Sequence, residues 1–118
     1  MLNLVVVEGF LVRDVEVHET PYGKKAATFV ISCMRDGYGK GVDFVKCKAF
    51  GGYAEALAKY KKKGDRIAVV GSLRYEKYDD YMRREIRELI VRVDKLQFQA
   101  RDEKRTKKDK EIQDEFDD

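Results

Sequence analysis

From Asn3 to Val12 the chain is mainly apolar, with the β-branched run Val5-Val6-Val7 and no helix cap in front of it, which predicts a strand. Thr20-Pro21-Tyr22-Gly23 reads as a turn, and Lys25 to Met34 then alternates, with Ala27, Phe29, Ile31 and Cys33 on one face. Gly37-Tyr38-Gly39-Lys40-Gly41 is too rich in glycine for a strand and is expected to be a flexible loop. Alternation resumes from Asp43 to Phe50. The Ala-rich stretch Tyr53 to Tyr60 predicts one short helix, with Lys61 to Lys63 complementing its dipole and Gly64 as its stop. Arg66 to Tyr78 predicts a strand with Ile67, Val69 and Leu73 on one face and Gly71 at a bend or bulge. From Met82 onward, Met82, Ile86, Leu89, Ile90, Val93 and Leu96 fit helical spacing about as well as Leu89, Val91 and Val93 fit a strand, and β-branched density favours the strand.

Three strands, a helix and two strands, all closely connected, predict an all-β protein: a five-stranded OB-fold Greek-key barrel with one short helix between strands 3 and 4. Barrels of this kind take oligonucleotides, oligosaccharides or proteins, so the fold alone does not assign a function. A length of 118 residues allows one domain of ordinary size, and 43% hydrophobic content supplies one core. The charge is uneven. Residues 1–98 carry 19 basic and 14 acidic side chains, whereas residues 99–118 carry 6 and 8. Past Phe98 only Ala100, Ile112 and Phe116 are apolar, too few to offset the entropy of ordering the segment. The expected organisation is therefore a barrel domain over 1–98 and a disordered tail over 99–118, in which a basic stem leads to an acidic tip at Glu111 to Asp118.

Catalytic constellations do not emerge. Cys33 and Cys47 stand apart with no CxxC pair, and His18 is the single histidine, in a polar stretch that reads as loop, so the usual ligand set of a zinc site is lacking. Both thiols read as small core residues. The glycines form neither GxxxxGK[ST] nor GxGxxG. A binding protein without enzymatic activity, metal or cofactor is expected. No apolar run approaches the length of a membrane span and the first residues show no signal pattern, so a cytoplasmic protein is expected.

The third strand offers a site. Period 2 separates Val45, Cys47 and Ala49 from Phe44, Lys46, Lys48 and Phe50, giving one small apolar face and one of aromatic, lysine, lysine, aromatic. Such a face suits the stacking of bases and the neutralisation of phosphates. It also suits a barrel whose ends are plugged by Phe44 and Phe50 while the lysines solvate the outside. The fourth strand adds Arg74, Glu76 and Tyr78 opposite its apolar set, and the preceding loop adds Tyr38 and Lys40. In the first strand Val5, Val7, Gly9 and Leu11 form one face while Leu4, Val6 and Phe10 make the other apolar as well, so something must cover the second.

These residues closely resemble the bacterial and phage single-stranded DNA-binding proteins over Leu2 to about Phe98. The resemblance is carried by Leu2-Asn3 with Val5, Gly9 and Leu11, by Thr20-Pro21 with Gly23, by Ala27-Thr28-Phe29 and by Asp43-Phe44. It continues through Phe50-Gly51 with Ala54-Glu55 and Tyr60, Lys62-Lys63-Gly64, and Val70-Gly71 with Leu73-Arg74. What it implies is a barrel that wraps single-stranded DNA without regard to sequence, as a homotetramer, in replication, recombination and repair. Base stacking is then expected from Phe44, Phe50 and Tyr78, and more loosely from Tyr38, with Lys40, Lys46, Lys48 and Arg74 on phosphates. Subunit pairing would cover Leu4, Val6 and Phe10. The tip residues Asp114, Glu115, Phe116, Asp117 and Asp118 would dock replication and repair proteins, although relatives often end in Pro-Phe. Further departures are the absence of Trp and the acidic Asp79-Asp80 where relatives carry a longer, more basic hairpin. The alternative is an adaptor or primosome and replication-restart module binding mainly protein or RNA.

Overall fold

A computed structural model of the chain describes residues 1–36 and 41–97. Six strand segments and one helix follow in the order β1 (Val5–Leu11), β2 (Val17–Glu19), β3 (Lys25–Met34), β4 (Val42–Phe50), α1 (Gly52–Tyr60), β5 (Arg66–Asp79) and β6 (Glu85–Gln97). Neighbours in the sheet run β1-β5-β6-β4-β3-β2, and a further pairing of β1 with β3 at Phe10↔Ser32 and Leu11↔Ile31 closes it into a barrel. Since β1 and β2 both pair with β3 on either side of a bend, they act as one interrupted stave, and the barrel has five. The β4–β6 contact is parallel and the others antiparallel, and α1 lies between the third and fourth staves as the element order predicts.

Two local expectations change. His18 belongs to β2, paired with Ala26, and not to a loop, because this short strand pairs antiparallel with the first residues of β3. The helix ends at Tyr60, where Lys61 turns extended at φ −121°. Gly64 stands beyond it at φ +88°, in the turn that returns its N–H to the Leu11 carbonyl at 2.8 Å. It thus fastens the helix-to-strand connection to β1.

Inside, Leu11, Phe29, Ile31, Cys47, Ile67, Val69, Val91 and Val93 pack together, and α1 joins them by its wholly buried Ala54 and Leu57. Burial pushes the Cys47 thiol up to about 12, so it stays protonated at neutral pH and packs as a small apolar group. Cys33 is half-buried and its thiol is also raised, by burial first and by Asp43 second.

The longest elements leave the barrel. β5 and β6 pair from Ala68↔Gln97 to Asp79↔Glu85, and the ladder steps from Val70↔Lys95 to Gly71↔Val93, leaving Asp94 as the extra residue of a bulge on β6. Gly71 faces that bulge, where an added Cβ would lie 2.0 Å from the Arg92 carbonyl oxygen. Beyond it the hairpin outruns the core, so Leu73, although in phase with Ile67 and Val69, is 45% exposed. The hairpin is closed by Asp80, whose carboxylate accepts the backbone N–H groups of Met82 and Arg84. At the base of the hairpin the Asn3 side chain exchanges two hydrogen bonds with the Leu73 backbone, 2.9 and 2.8 Å, extending the β1–β5 ladder by one rung.

Candidate functional site

Because side chains alternate along a strand, burying Cys47 and Ala49 obliges Phe44, Lys46, Lys48 and Phe50 to face outward. Phe44 is 68% exposed and Phe50 half-buried, so Phe44 does not plug the barrel. β6 runs beside β4 in parallel register, Lys48 next to Arg92, and β5 follows on the far side of β6. The outer surface of these three strands is thus one continuous face. Phe44, Lys46, Lys48 and Phe50 come from β4, Glu88, Ile90 and Arg92 from β6, and Arg74, Glu76 and Tyr78 from β5.

A groove of about 560 Å³ follows this face, lined by Thr28, Lys46, Lys48, Glu76, Lys77, Tyr78, Glu88 and Ile90, with Cys47 behind. Ile90, on the outward phase of β6, lines it as a buried apolar residue. Its walls carry cations close to rings. Lys46 Nζ lies 5.9 Å from the Tyr78 ring centre and Lys48 Nζ 5.9 Å from that of Phe50, over which the Arg92 guanidinium also sits at 5.1 Å. Lys46 donates to Glu88 Oε1 at 2.7 Å, and Lys48 lies 3.8 Å from Glu76 Oε1. The hydrogen bond to Glu88 raises the Lys46 ammonium above its ordinary value against the opposing effect of burial, so it is charged throughout the physiological range.

Rings for stacking and ammonium and guanidinium groups for a polyanion, set along an open groove, fit an extended, unpaired strand of nucleotides better than a compact ligand. Of the residues singled out in the sequence, Lys46, Lys48 and Tyr78 line the groove, Phe50 lies under Lys48 beside it, and Phe44 and Arg74 stand on the same outer face on β4 and β5. Tyr38 and Lys40 lie outside the described residues, as do the tail over 99–118 and its tip Asp114, Glu115, Phe116, Asp117 and Asp118. Leu4 and Val6 are 71% and 65% exposed on the outer side of β1, but Phe10 is only 6% exposed. It sits where β1 pairs with both β3 and β5, opposite Ser32 and Arg66, and the chain itself covers it. Sequence reasoning misses Arg92, Glu88 and Ile90. The signal that finds them is the register of β6 against β4, which the sequence does not reveal.

At the mouth of the 37–41 segment, Arg35 grips Asp43 through three hydrogen bonds of 2.6 to 3.0 Å, and the Arg35 N–H donates to the Gly41 carbonyl at 2.9 Å. This bidentate grip holds the Asp43 carboxyl below its ordinary range and fixes the strand ends that lead into Phe44. Among the described residues no three His, Cys, Asp or Glu side chains are grouped to hold a metal ion, and no helix is long and apolar enough to cross a membrane.

A model of the single-strand binding protein family matches residues 2–99. The chain is 34% identical over 104 residues to the single-stranded DNA-binding protein of Helicobacter pylori, a match covering 83% of this chain and 58% of that protein. With the single-stranded DNA-binding protein of Staphylococcus epidermidis the identity is 32% over 83 residues, covering 67% and 63%. With single-stranded DNA-binding protein A of Bacillus subtilis it is 31% over 102 residues, covering 83% and 59%. The chain thus spans about three fifths of the length of these relatives. Fold, groove and kinship agree, and this chain belongs to the single-strand binding protein family.

Proposed function

We propose that this protein binds and protects single-stranded DNA without sequence preference in replication, recombination and repair, in the cytoplasm and with no chemical step. Phe44, Phe50 and Tyr78 stack on bases, joined by Tyr38, and Lys40, Lys46, Lys48 and Arg74 contact phosphates together with Arg92. The observation that carries the reading is the outward β4 row of Phe44, Lys46, Lys48 and Phe50 beside an open groove. Rings accept any base by its π-face, and cations follow a backbone that is the same for every sequence. Two further elements belong to the proposal. A homotetramer covers the exposed Leu4 and Val6 on β1, whose pairing toward β3 is confined to Phe10 and Leu11. The acidic tip, with Phe116 among its carboxylates, recruits replication and repair proteins.

Competition tests the reading. An oligo(dT) and a scrambled single strand of equal length should displace a labelled strand about equally well, and the corresponding duplex much less. Equal displacement by duplex, or indifference to all three, would favour the protein- or RNA-binding adaptor.

A further inference from the structure

The groove's two central lysines are already occupied. Lys46 Nζ donates to Glu88 Oε1 at 2.7 Å, Lys48 Nζ stands 3.8 Å from Glu76 Oε1, and all four side chains are partly buried. Glu76 and Glu88 are direct cross-strand partners on β5 and β6, two like charges opposite one another, an arrangement unfavourable to a sheet unless cations intervene. The two lysines of β4 are those cations. A phosphate that approaches Lys46 or Lys48 competes with the carboxylate already beside it, and that carboxylate then faces both its neighbour and the incoming anion.

Resting on the single-strand reading above, we propose that Glu76 and Glu88 set the affinity and selectivity of the groove as internal competitors for the phosphates. The affinity of the groove is then the difference between lysine–phosphate and lysine–glutamate pairing and not the full value of the former. When DNA leaves, the bridges re-form and no lysine is left half-buried without a partner. Selectivity follows from the same competition. A free phosphate or a mononucleotide brings one anionic group and at most one base, too little to open two bridges. A strand that also stacks on Phe44, Phe50 and Tyr78 recovers the cost through its rings. The carboxylates therefore favour strands over the free nucleotides of the cell.

The test uses Glu88→Gln and Glu76→Gln in the full chain, with oligo(dT) as probe and thymidine monophosphate and inorganic phosphate as competitors. Glutamine keeps the shape and an acceptor oxygen while removing the charge. Each variant should bind oligo(dT) about threefold to tenfold more tightly at low salt, the gain shrinking as salt rises, and should be inhibited by thymidine monophosphate at lower concentration than the parent. In a Lys46→Ala background the gain from Glu88→Gln should diminish, because the competitor's target is gone. Melting curves establish that each variant is folded, and the two bridges supply independent variants. Folded variants with unchanged or weaker affinity overturn the proposal while leaving the single-strand reading intact. Failure of the parent protein to bind oligo(dT) removes both.

Discussion

Phe44 is a large apolar ring left mostly in water, at a position where the fold makes no use of it. Removing it should hardly disturb packing, so its role is separable from stability. For proteins of this family themselves, stacking contributes about 1–3 kcal/mol per base on alanine substitution, and Phe44→Ala is expected to weaken binding within that range. Its melting temperature and the slope of log affinity against log salt should stay nearly as in the parent. Lys46→Ala should behave differently, flattening that slope by about 0.7, the value for a single phosphate that the side chain no longer neutralises. Fluorescence titrations at four salt concentrations check both. A steep salt change for Phe44→Ala, or none for Lys46→Ala, would reverse the assigned roles. These residues were legible because period 2 alone divides β4 once Cys47 and Ala49 are taken as core. Arg92, Glu88 and Ile90 were not, because the segment also matches helical spacing and nothing in it reveals that β6 lies beside β4.

At the scale of elements, the β5–β6 hairpin decides where the groove lies, and its bulge decides how the hairpin is aimed. Gly71→Ala would drive a methyl group to 2.0 Å from the Arg92 carbonyl oxygen, backbone that cannot rotate aside, and should cost about 2–4 kcal/mol. Gly52→Ala, at the start of α1 with nothing within 4 Å of the added Cβ, should be close to neutral. Chemical denaturation of the two variants side by side checks the contrast, and equal stabilities would mean that the bulge yields easily. Here the sequence was informative about the place and not the partner. An isolated glycine in a strand announced a close backbone approach, while the residue it approaches depends on a pairing 21 positions away. The exposure of Leu73 escaped the sequence for a related reason: apolar phase predicts a face, but only the length of the neighbouring strands decides whether that face is still inside the barrel.

For the whole molecule, a single chain leaves Leu4 and Val6 uncovered on the outer side of β1, and a second copy is the proposed cover. Val6→Asp would put a carboxylate into that interface without touching the buried side of the strand, so subunits should separate while the barrel stays folded. Light scattering at micromolar concentration, with circular dichroism alongside, checks this, and a monomeric mass for the parent chain would refute the oligomer. The barrel itself was readable from strand count and helix position. Its closure through Phe10 and Leu11 was not, since one residue pairing with two strands leaves no periodic trace.

The central claim is that unpaired DNA lies along the joint outer face of β4, β5 and β6. Ultraviolet cross-linking of bound oligo(dT), followed by mass-spectrometric mapping of the attached residues, reads that location without any mutation. Cross-links should concentrate at Phe44, Phe50 and Tyr78, and should disappear when unlabelled single strand is added in excess. Cross-links that fall instead on the α1 end of the barrel or on the exposed side of β1, with these three rings unmodified, would contradict it.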